Sequence, residues 1–268
     1  MYMYSHESAE QKEFLRKLRA KKRIIAALRV LLLVFIIASW EAVTRLNWLD
    51  PFIFSSPSRI VKTFIRLYNE GTLFSHVFTT LWETVVGFLL GTVLGIVIAI
   101  VLWLSETCSR VLEPYLVVLN ALPKIALGPV FIVWMGAGPV AIITVAVTVS
   151  LIVTVLEVYT GFLETDSEKI RLVQSFGANR KQILTKVVLP SSFPVMMNAL
   201  KVNVGMSWVG VIVGEFLVSR AGLGYLIVYG GQVFQLDLVM TSVLILSVLA
   251  ALMYFGVQLL GKWISAKY

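Results

Sequence analysis

Long apolar stretches, separated by charges and prolines, dominate the chain. A helix needs about 20 apolar residues to cross a bilayer. Between Ile125 and Leu156 no charge occurs, but this stretch exceeds one span, and the sequence Gly136-Ala137-Gly138-Pro139 in its middle predicts a turn. The resulting spans are about 24–43, 84–105, 111–135, 139–159, 195–218 and 238–261. The pattern therefore predicts an all-α, polytopic membrane protein with six transmembrane helices.

Composition supports this fold class and limits what else the chain can contain. Of 268 residues, 58% are hydrophobic and 14% charged, and the mean hydropathy is +0.87, which excludes an ordinary water-soluble domain. The spans and short loops leave no room for a separate globular enzyme domain. One cysteine excludes an internal disulfide, and with two histidines the chain has too few thiolates and imidazoles for a metal site built from them.

Positive charges predict the orientation. Residues 1–23 form a basic segment with seven of the 23 Lys and Arg residues, and no aromatic stacking pattern typical of a nucleic-acid site interleaves these charges. With the N-terminus inside, 15 Lys and Arg residues face the cytoplasm, five face outward and three lie within spans. Basic residues concentrate on the cytoplasmic side of membrane proteins. The chain is therefore predicted to have both termini in the cytoplasm and to bind membrane lipid, with no nucleic acid as partner.

Two connections are too long to be simple loops. The outer segment 44–83 contains a helix start at Ser55-Ser56-Pro57-Ser58 and is predicted to lie along the membrane surface. The cytoplasmic segment 161–194 has apolar residues at helical spacing on both sides of Gly177-Ala178-Asn179, and Pro190 follows. This pattern predicts two short amphipathic helices, a break between them and an end at Pro190. Such a pair exposed to the cytosol favours docking of another protein.

The second of these segments carries a specific resemblance. Gly177 is followed by nine residues and then by Val187-Val188-Leu189-Pro190. This spacing resembles the coupling motif of binding-protein-dependent ABC transporter permeases, in which glycine permits a sharp turn. Arg171-Leu172-Val173 stands where the family has Glu-Ala-Ala. By this resemblance the ATPase-coupling loop contains Arg171, Gly177, Ala178, Val187, Leu189 and Pro190.

The resemblance extends over most of the chain. Several further motifs, in the correct order, are similar to permeases of the nitrate, sulfonate, taurine and bicarbonate importer group. They are Ser56-Pro57-Ser58, Gly71-Thr72-Leu73, Gly87 to Gly91, Leu122 to Pro129, Trp134 to Gly138, and Gly222 to Tyr225. The resemblance implies a type I ABC importer permease-like fold in the bacterial cytoplasmic membrane. It also implies a homodimer, two ABC ATPase subunits and an extracytoplasmic solute-binding protein.

The chain is not expected to hydrolyse ATP itself. Gly256 to Lys262 fits the first seven positions of a phosphate-binding P-loop, but Trp263 replaces the Ser or Thr that would hold magnesium. The segment also closes a membrane helix, whereas a P-loop needs a strand before it and a helix after it. We therefore expect no cofactor on this chain, with ATP and Mg²⁺ used by the partner ATPase.

Residues within the spans allow fewer inferences. Glycines recur at four-residue spacing, which favours close helix packing, within the chain or across a dimer. They are Gly87, Gly91 and Gly95, and Gly210 and Gly214. Lys124 follows Pro123 inside a span, where it is a candidate pathway residue for an anionic solute or a support for a broken helix. Glu157 and Glu215 near span ends are expected to make headgroup-level or interhelical contacts.

One further stretch and the choice of function complete the prediction. The apolar but glycine-interrupted stretch 222–231 is too short for a seventh span and is predicted as part of the outer gate or of the platform for the binding protein, or as a re-entrant packing loop. The preferred function is the permease subunit of an ABC importer for a small anion such as an aliphatic sulfonate, taurine or nitrate. The same architecture could import a thiamine or pyrimidine precursor.

Two other classes of protein are weaker candidates. A self-contained secondary transporter would need ion-coupling charges at the bilayer midplane, where only Lys124 is expected. A membrane enzyme would need a catalytic cluster, and no paired carboxylates are predicted in the spans.

Overall fold

The computed structural model describes residues 9–265, and this range is helical and contains no β-strand. The α-helices are α1 Ala9–Arg45, α2 Pro51–Phe54, α3 Pro57–Asn69, α4 Leu73–Leu104, α5 Glu106–Ala121, α6 Gly128–Met135, α7 Pro139–Leu163, α8 Ser167–Ser175, α9 Arg180–Ile183, α10 Leu189–Val218, α11 Leu223–Gln232 and α12 Leu236–Ser265. A 3₁₀ turn, Lys124–Leu127, precedes α6, and a π-helical segment, Leu184–Val188, joins α9 to α10. Of the predicted basic segment, residues 1–8 lie outside the described range.

The chain forms two compact units, one up to Lys62 and one from Thr63 onward. In the first unit, none of the most apolar part of α1 is buried, as expected for a helix that faces lipid. The Glu41 carboxylate, near the end of α1, accepts a hydrogen bond from the Ser58 backbone N–H (3.0 Å) and pairs with Arg45 (2.7 Å). These contacts join the end of α1 to the start of α3.

Within residues 14–264, five helical stretches are long and apolar enough to cross a membrane, and a sixth crossing results if the bent pair 106–135 is counted as one. The predicted span over 111–135 corresponds to this bent pair. Its two halves are bent by 89° at residues 122–123. Pro123 has no N–H to continue the helical hydrogen bonds, and its ring disfavours helical geometry at Leu122, which is extended.

Three helices form the centre of the second unit, with α7 packed between α4 and α10. A Cβ atom added at Gly87 would lie 2.8 Å from the Ala146 Cβ, and one added at Gly210 would lie 2.5 Å from the Ala146 Cα. Gly95 and Gly214 similarly face Thr154 and Ile142 of α7. The glycine series of the sequence therefore lies where the three backbones approach most closely.

Some predicted span ends differ from the observed ones. The predicted second span, 84–105, starts too late, because α4 begins at Leu73 and Glu83 lies well inside the helix. The outer segment is correspondingly shorter and ends at Thr72. Polar residues of the first turns of α4 misled the prediction, since their side chains are satisfied by contacts inside the protein and not by headgroups or water.

Pro190 does not end a helix, contrary to the prediction. The chain is helical from Arg180 to Val218 without interruption, and Pro190 lies in the first turn of α10. The π segment before it supplies the reason. The Leu189 N–H bonds to the Leu184 carbonyl, five residues back, and this wider turn accommodates a residue that cannot donate a backbone hydrogen bond.

Candidate functional site

The segment between α7 and α10 forms a helical elbow, which we define as residues 167–190. Helix α8 ends at a turn in which Gly177 adopts a φ of +79°. The Ala178 N–H closes this turn on the Val173 carbonyl at 3.1 Å. Asn179 then starts α9 through reciprocal hydrogen bonds with Gln182 (2.9 and 2.8 Å). Each half of the elbow therefore has its own capping signal, and the angle between them depends on glycine at position 177.

Apolar side chains anchor the elbow to the bundle. Ile183, Leu184 and Val188 are buried in one cluster with Val158 and Phe162 of α7. Ile170, Val173, Ala178 and Leu189 pack at the margin of this cluster. Burial of these side chains fixes α9 and the π segment on the end of α7, so the elbow is part of the folded core and not a loose loop.

Polar contacts hold the elbow at its edges. The Arg180 guanidinium donates to the Leu104 carbonyl at the end of α4 (3.2 Å) and lies 3.8 Å from the Glu106 carboxylate. All three partners are accessible to solvent, so the contact sets position more than stability. On the other side, the buried Ser192 hydroxyl donates to the Gly161 carbonyl at 2.9 Å. The elbow therefore contacts α4, α5 and α7 together.

The outer face of the elbow is apolar and exposed. Leu172 is 59% exposed and Phe176 is 82% exposed, and Lys169 and Arg171 beside them are also exposed. Exposed aromatic and aliphatic side chains that neighbour charges are typical of a surface that another protein covers. Of the residues assigned to the coupling motif, Arg171 and Gly177 belong to this face, whereas Val187 and Leu189 lie half-buried against the bundle.

Lys124 lies at the break between α5 and α6. Its Nζ donates to the Asn120 backbone carbonyl (3.1 Å) and lies 3.3 Å from the Asn120 Oδ1. That carbonyl belongs to the last turn of α5, where intrahelical N–H partners run out and a positive charge is favourable. Lys124 therefore caps the end of α5 at the break between α5 and α6.

A second polar cluster lies at the other end of α4. His76, Thr80 and Glu83 of α4 meet Glu215 of α10 at the start of α11. The stretch 222–231 forms helix α11, which excludes only the loop among the alternatives predicted for it. The prediction that the spans contain no paired carboxylates is wrong, because Glu83 and Glu215 lie beside one another. The cluster is about 40 Å from the elbow along α4, given a rise of 1.5 Å per residue from His76 to Leu104.

Other chemistry is sparse in the described part of the chain. No group of three or more His, Cys, Asp or Glu side chains between residues 14 and 264 is arranged to hold a metal ion. A buried hydrogen bond from the Asn203 amide to the Thr92 hydroxyl (2.5 Å) links α10 to α4. This bond serves helix packing and brings no reactive groups together.

Sequence reasoning missed the exposed pair Leu172 and Phe176, the Arg180 contact and the carboxyl pair. The first was visible as two apolar residues four apart next to Gly177. The carboxyl pair gave no local signal, because its members are 132 residues apart (215 − 83).

The chain is similar to a known protein family and to several known transport proteins. The family described as binding-protein-dependent transport system inner membrane component matches residues 91–268. A riboflavin transport system permease protein of Chloroflexus aurantiacus is 32% identical over 87% of this chain and 85% of its own length. A taurine transport system permease protein of Escherichia coli is 24% identical over 89% and 86%, respectively. A formylaminopyrimidine transport permease protein of Halalkalibacterium halodurans is 29% identical over 76% and 81%.

A solved structure shares the fold. A chain of the MetNI methionine ABC transporter, in an inward facing conformation, superposes with a TM-score of 0.64. The match covers 72% of this chain and 96% of that chain at 22% identity. This likeness confirms the predicted all-α importer permease-like fold.

Proposed function

The chain belongs to the family of binding-protein-dependent transport system inner membrane components, and on this premise we propose how its elbow and helices work in an ATP-driven importer. It is a multi-pass protein of the bacterial cytoplasmic membrane, and the family implies an ATPase and a solute-binding protein as partners. The proposed role of this chain is to form the gated pathway. ATP hydrolysis is assigned to the separate ATPase subunit.

The observation that carries the proposal is the exposed apolar tip of an elbow that is otherwise anchored in the core. Phe176 and Leu172 point away from the bundle, while Ile183 and Val188 of the same elbow are buried. An ATPase that covers Phe176 and Leu172 would remove their apolar surface from water, and Lys169 and Arg171 would attract an acidic rim. We assign the docking face of the ATPase to these four residues.

The structure offers a direct route from this face to the membrane. From Arg180 to Val218 the chain is one helical run of 39 residues, about 58 Å long at 1.5 Å per residue. Movement of α9 by the ATPase would therefore move α10 without an intervening flexible joint. Arg180 would transmit part of that movement to the α4–α5 corner through Leu104 and Glu106.

The oligomer and orientation follow the same proposal. Two copies of the chain, each with one ATPase, would enclose the pathway, and the broken segment 106–135 is well suited to line it. Its side chains Val117, Val133 and Trp134 are largely exposed in a single chain. The elbow and both termini are placed in the cytoplasm, in accord with the distribution of Lys and Arg.

For the solute we propose a small organic anion of the sulfonate class. The taurine permease relative supports it, and Lys124 supplies a positive charge at the break in the candidate pathway helix. A nitrogen heterocycle is the second candidate. The permeases for riboflavin and formylaminopyrimidine support it, since they are 32% and 29% identical to this chain, compared with 24% for the taurine permease.

Co-purification with the partner ATPase tests the docking face. Phe176→Ala should weaken ATPase binding at least tenfold, whereas Phe78→Ala, at an exposed phenylalanine near the start of α4, should not. The loss is expected because an aromatic side chain centred in an interface contributes about 2 kcal/mol or more. Equal binding by both variants, with both folded, would contradict the assignment.

Uptake by vesicles that contain the chain, its ATPase and its binding protein identifies the solute. Saturable, ATP-dependent uptake of taurine or an alkanesulfonate is expected. Uptake of a pyrimidine and not of any sulfonate would replace the first candidate with the second. Uptake without ATPase would instead indicate a secondary transporter.

A further inference from the structure

Glu83 and Glu215 form a carboxyl pair in the interior of the second unit. Glu83 is 2% exposed and Glu215 is 1% exposed, and their carboxyl groups lie beside one another. Glu83 Oε2 and Glu215 Oε1 are buried and have no hydrogen-bond partner. Two ionised carboxylates buried side by side repel each other, whereas a protonated carboxyl group can donate a hydrogen bond to an ionised one. The pair therefore favours at least one proton.

Glu215 has the surroundings of an ionised acceptor. Its Oε2 accepts the backbone N–H groups of Gly224 (2.5 Å) and Tyr225 (3.3 Å) in the first turn of α11. Unpaired N–H groups and the helix dipole at that end both favour a negative charge. Gly222 admits the carboxylate, since an added Cβ would lie 2.5 Å from its atoms.

The other N–H groups of the turn bind to α4. The Leu223 N–H donates to the Thr80 hydroxyl (2.7 Å), and the Gly222 N–H donates to the Nδ1 of His76 (3.0 Å). An imidazole nitrogen that accepts a hydrogen bond carries no proton, so His76 is neutral in this geometry. The ring of Tyr225 stacks on His76.

Glu83 has the surroundings of a neutral acid. The ionisable group beside it is the Glu215 carboxyl group, and no positively charged side chain of residues 14–264 is paired with either carboxyl group. The neighbouring part of α7, residues 139–149, contains no ionisable side chain. A charge on Glu83 would be buried, uncompensated and beside the charge of Glu215, whereas a protonated Glu83 can donate to Glu215.

From these contacts we propose that Glu83 and Glu215 are a binding site for one proton, held on Glu83 and donated to an ionised Glu215. The proton completes a clasp in which α4 and α10 hold the first turn of α11. Among residues 14–264 no group of three or more His, Cys, Asp or Glu side chains could hold a metal ion, which favours a proton over a metal cation at this pair.

Infrared spectroscopy of the purified chain at neutral pH tests where the proton is. The wild type should show the carbonyl stretching band of a protonated carboxyl group. Glu83→Gln should lose this band, and Glu215→Gln should retain it. Glu157→Gln, which changes a half-buried glutamate of α7 outside the pair, is the matched control and should leave the band unchanged.

Thermal stability supplies an independent measurement. Glutamine at position 83 keeps an N–H donor for Glu215, so Glu83→Gln should unfold at nearly the wild-type temperature. Glu83→Leu has no donor and should unfold several degrees lower. Both measurements use the chain alone and do not depend on transport or on the proposed solute.

The outcomes that would overturn the proposal are distinct. Absence of the band from the wild type would mean that no proton is held. A band lost in Glu215→Gln and kept in Glu83→Gln would place the proton on Glu215 and contradict the assignment to Glu83. A shift in unfolding temperature with added Na⁺ or Ca²⁺ that disappears in Glu83→Gln would show a metal cation in place of the proton.

Discussion

Substitution of Gly210 by alanine tests the contact between α10 and α7. The added Cβ would lie 2.5 Å from the Ala146 Cα, 3.1 Å from its N and 3.2 Å from its Cβ. Carbon atoms in contact are normally about 3.5–4.0 Å apart. The nearest of these atoms belongs to the backbone of α7, so no side-chain rotation can relieve the clash, and the helices must separate by about 1 Å.

The matched control is Gly205→Ala on the same helix. An added Cβ at Gly205 meets nothing within 4 Å. Both variants gain the same helix propensity, up to about 1 kcal/mol, so their difference isolates the cost of overpacking. That cost is about 1–3 kcal/mol in packed interiors. We therefore expect Gly210→Ala to be less stable than Gly205→Ala by about 2 kcal/mol.

Membrane proteins often unfold irreversibly, so the assay is the half-life of the folded chain in detergent at a fixed elevated temperature. The half-life of Gly210→Ala should be clearly shorter than that of Gly205→Ala, which should match or exceed the wild type. Equal half-lives for the two variants would refute the packing of α10 against Ala146.

Three further pairs of variants test other parts of the structure. Lys124→Met should reduce uptake at least severalfold, and Lys124→Arg should retain it, because arginine can still donate to the Asn120 carbonyl. Wild-type uptake by Lys124→Met would show that Lys124 is neither a pathway residue nor a necessary cap of the broken helix. Gly177→Ala should lower ATPase affinity by about tenfold, since a positive φ costs about 1–2 kcal/mol without glycine, whereas Gly177→Asn should lose less. Phe162→Ala, at a buried side chain, should destabilise by about 3–5 kcal/mol in thermal unfolding, and Leu163→Ala, at the exposed neighbour, by far less.

The sequence predicted best those features that depend on a single local property of the chain. Charge-free stretches predicted the membrane helices, and the spacing from Gly177 to Pro190 predicted a bent connection at the correct place. Both are local properties, hydrophobic length in the first case and backbone freedom in the second.

Predictions failed where a distant part of the chain changes the meaning of a local signal. Glu83 was expected to mark the end of a span, but Glu215 and the start of α11 enclose it, so α4 continues through it. Pro190 was expected to end a helix, but the preceding π turn accommodates it. In each case the compensating contact lies in a different turn or helix, and one sequence alone gives no register between them.

The broken segment 106–135 shows the same limit in a different form. Hydropathy predicted one span over this segment, and Pro123 and Pro129 indicated a broken helix within it, but neither signal gave the size of the bend. Hydropathy indicates whether a segment prefers lipid to water, but it does not indicate the direction of the helix axis. The 89° bend depends on the local geometry at residues 122–123.

The central claim is that the elbow faces the cytoplasm and receives the ATPase. It is tested most directly with a single cysteine in place of Ser175, the exposed neighbour of Phe176, in a chain whose native Cys108 is replaced by serine. A membrane-impermeant thiol reagent should label this cysteine in inside-out vesicles and not in intact cells, and bound ATPase should block the labelling. Labelling from outside intact cells, or labelling that ATPase binding leaves unchanged, would contradict the claim.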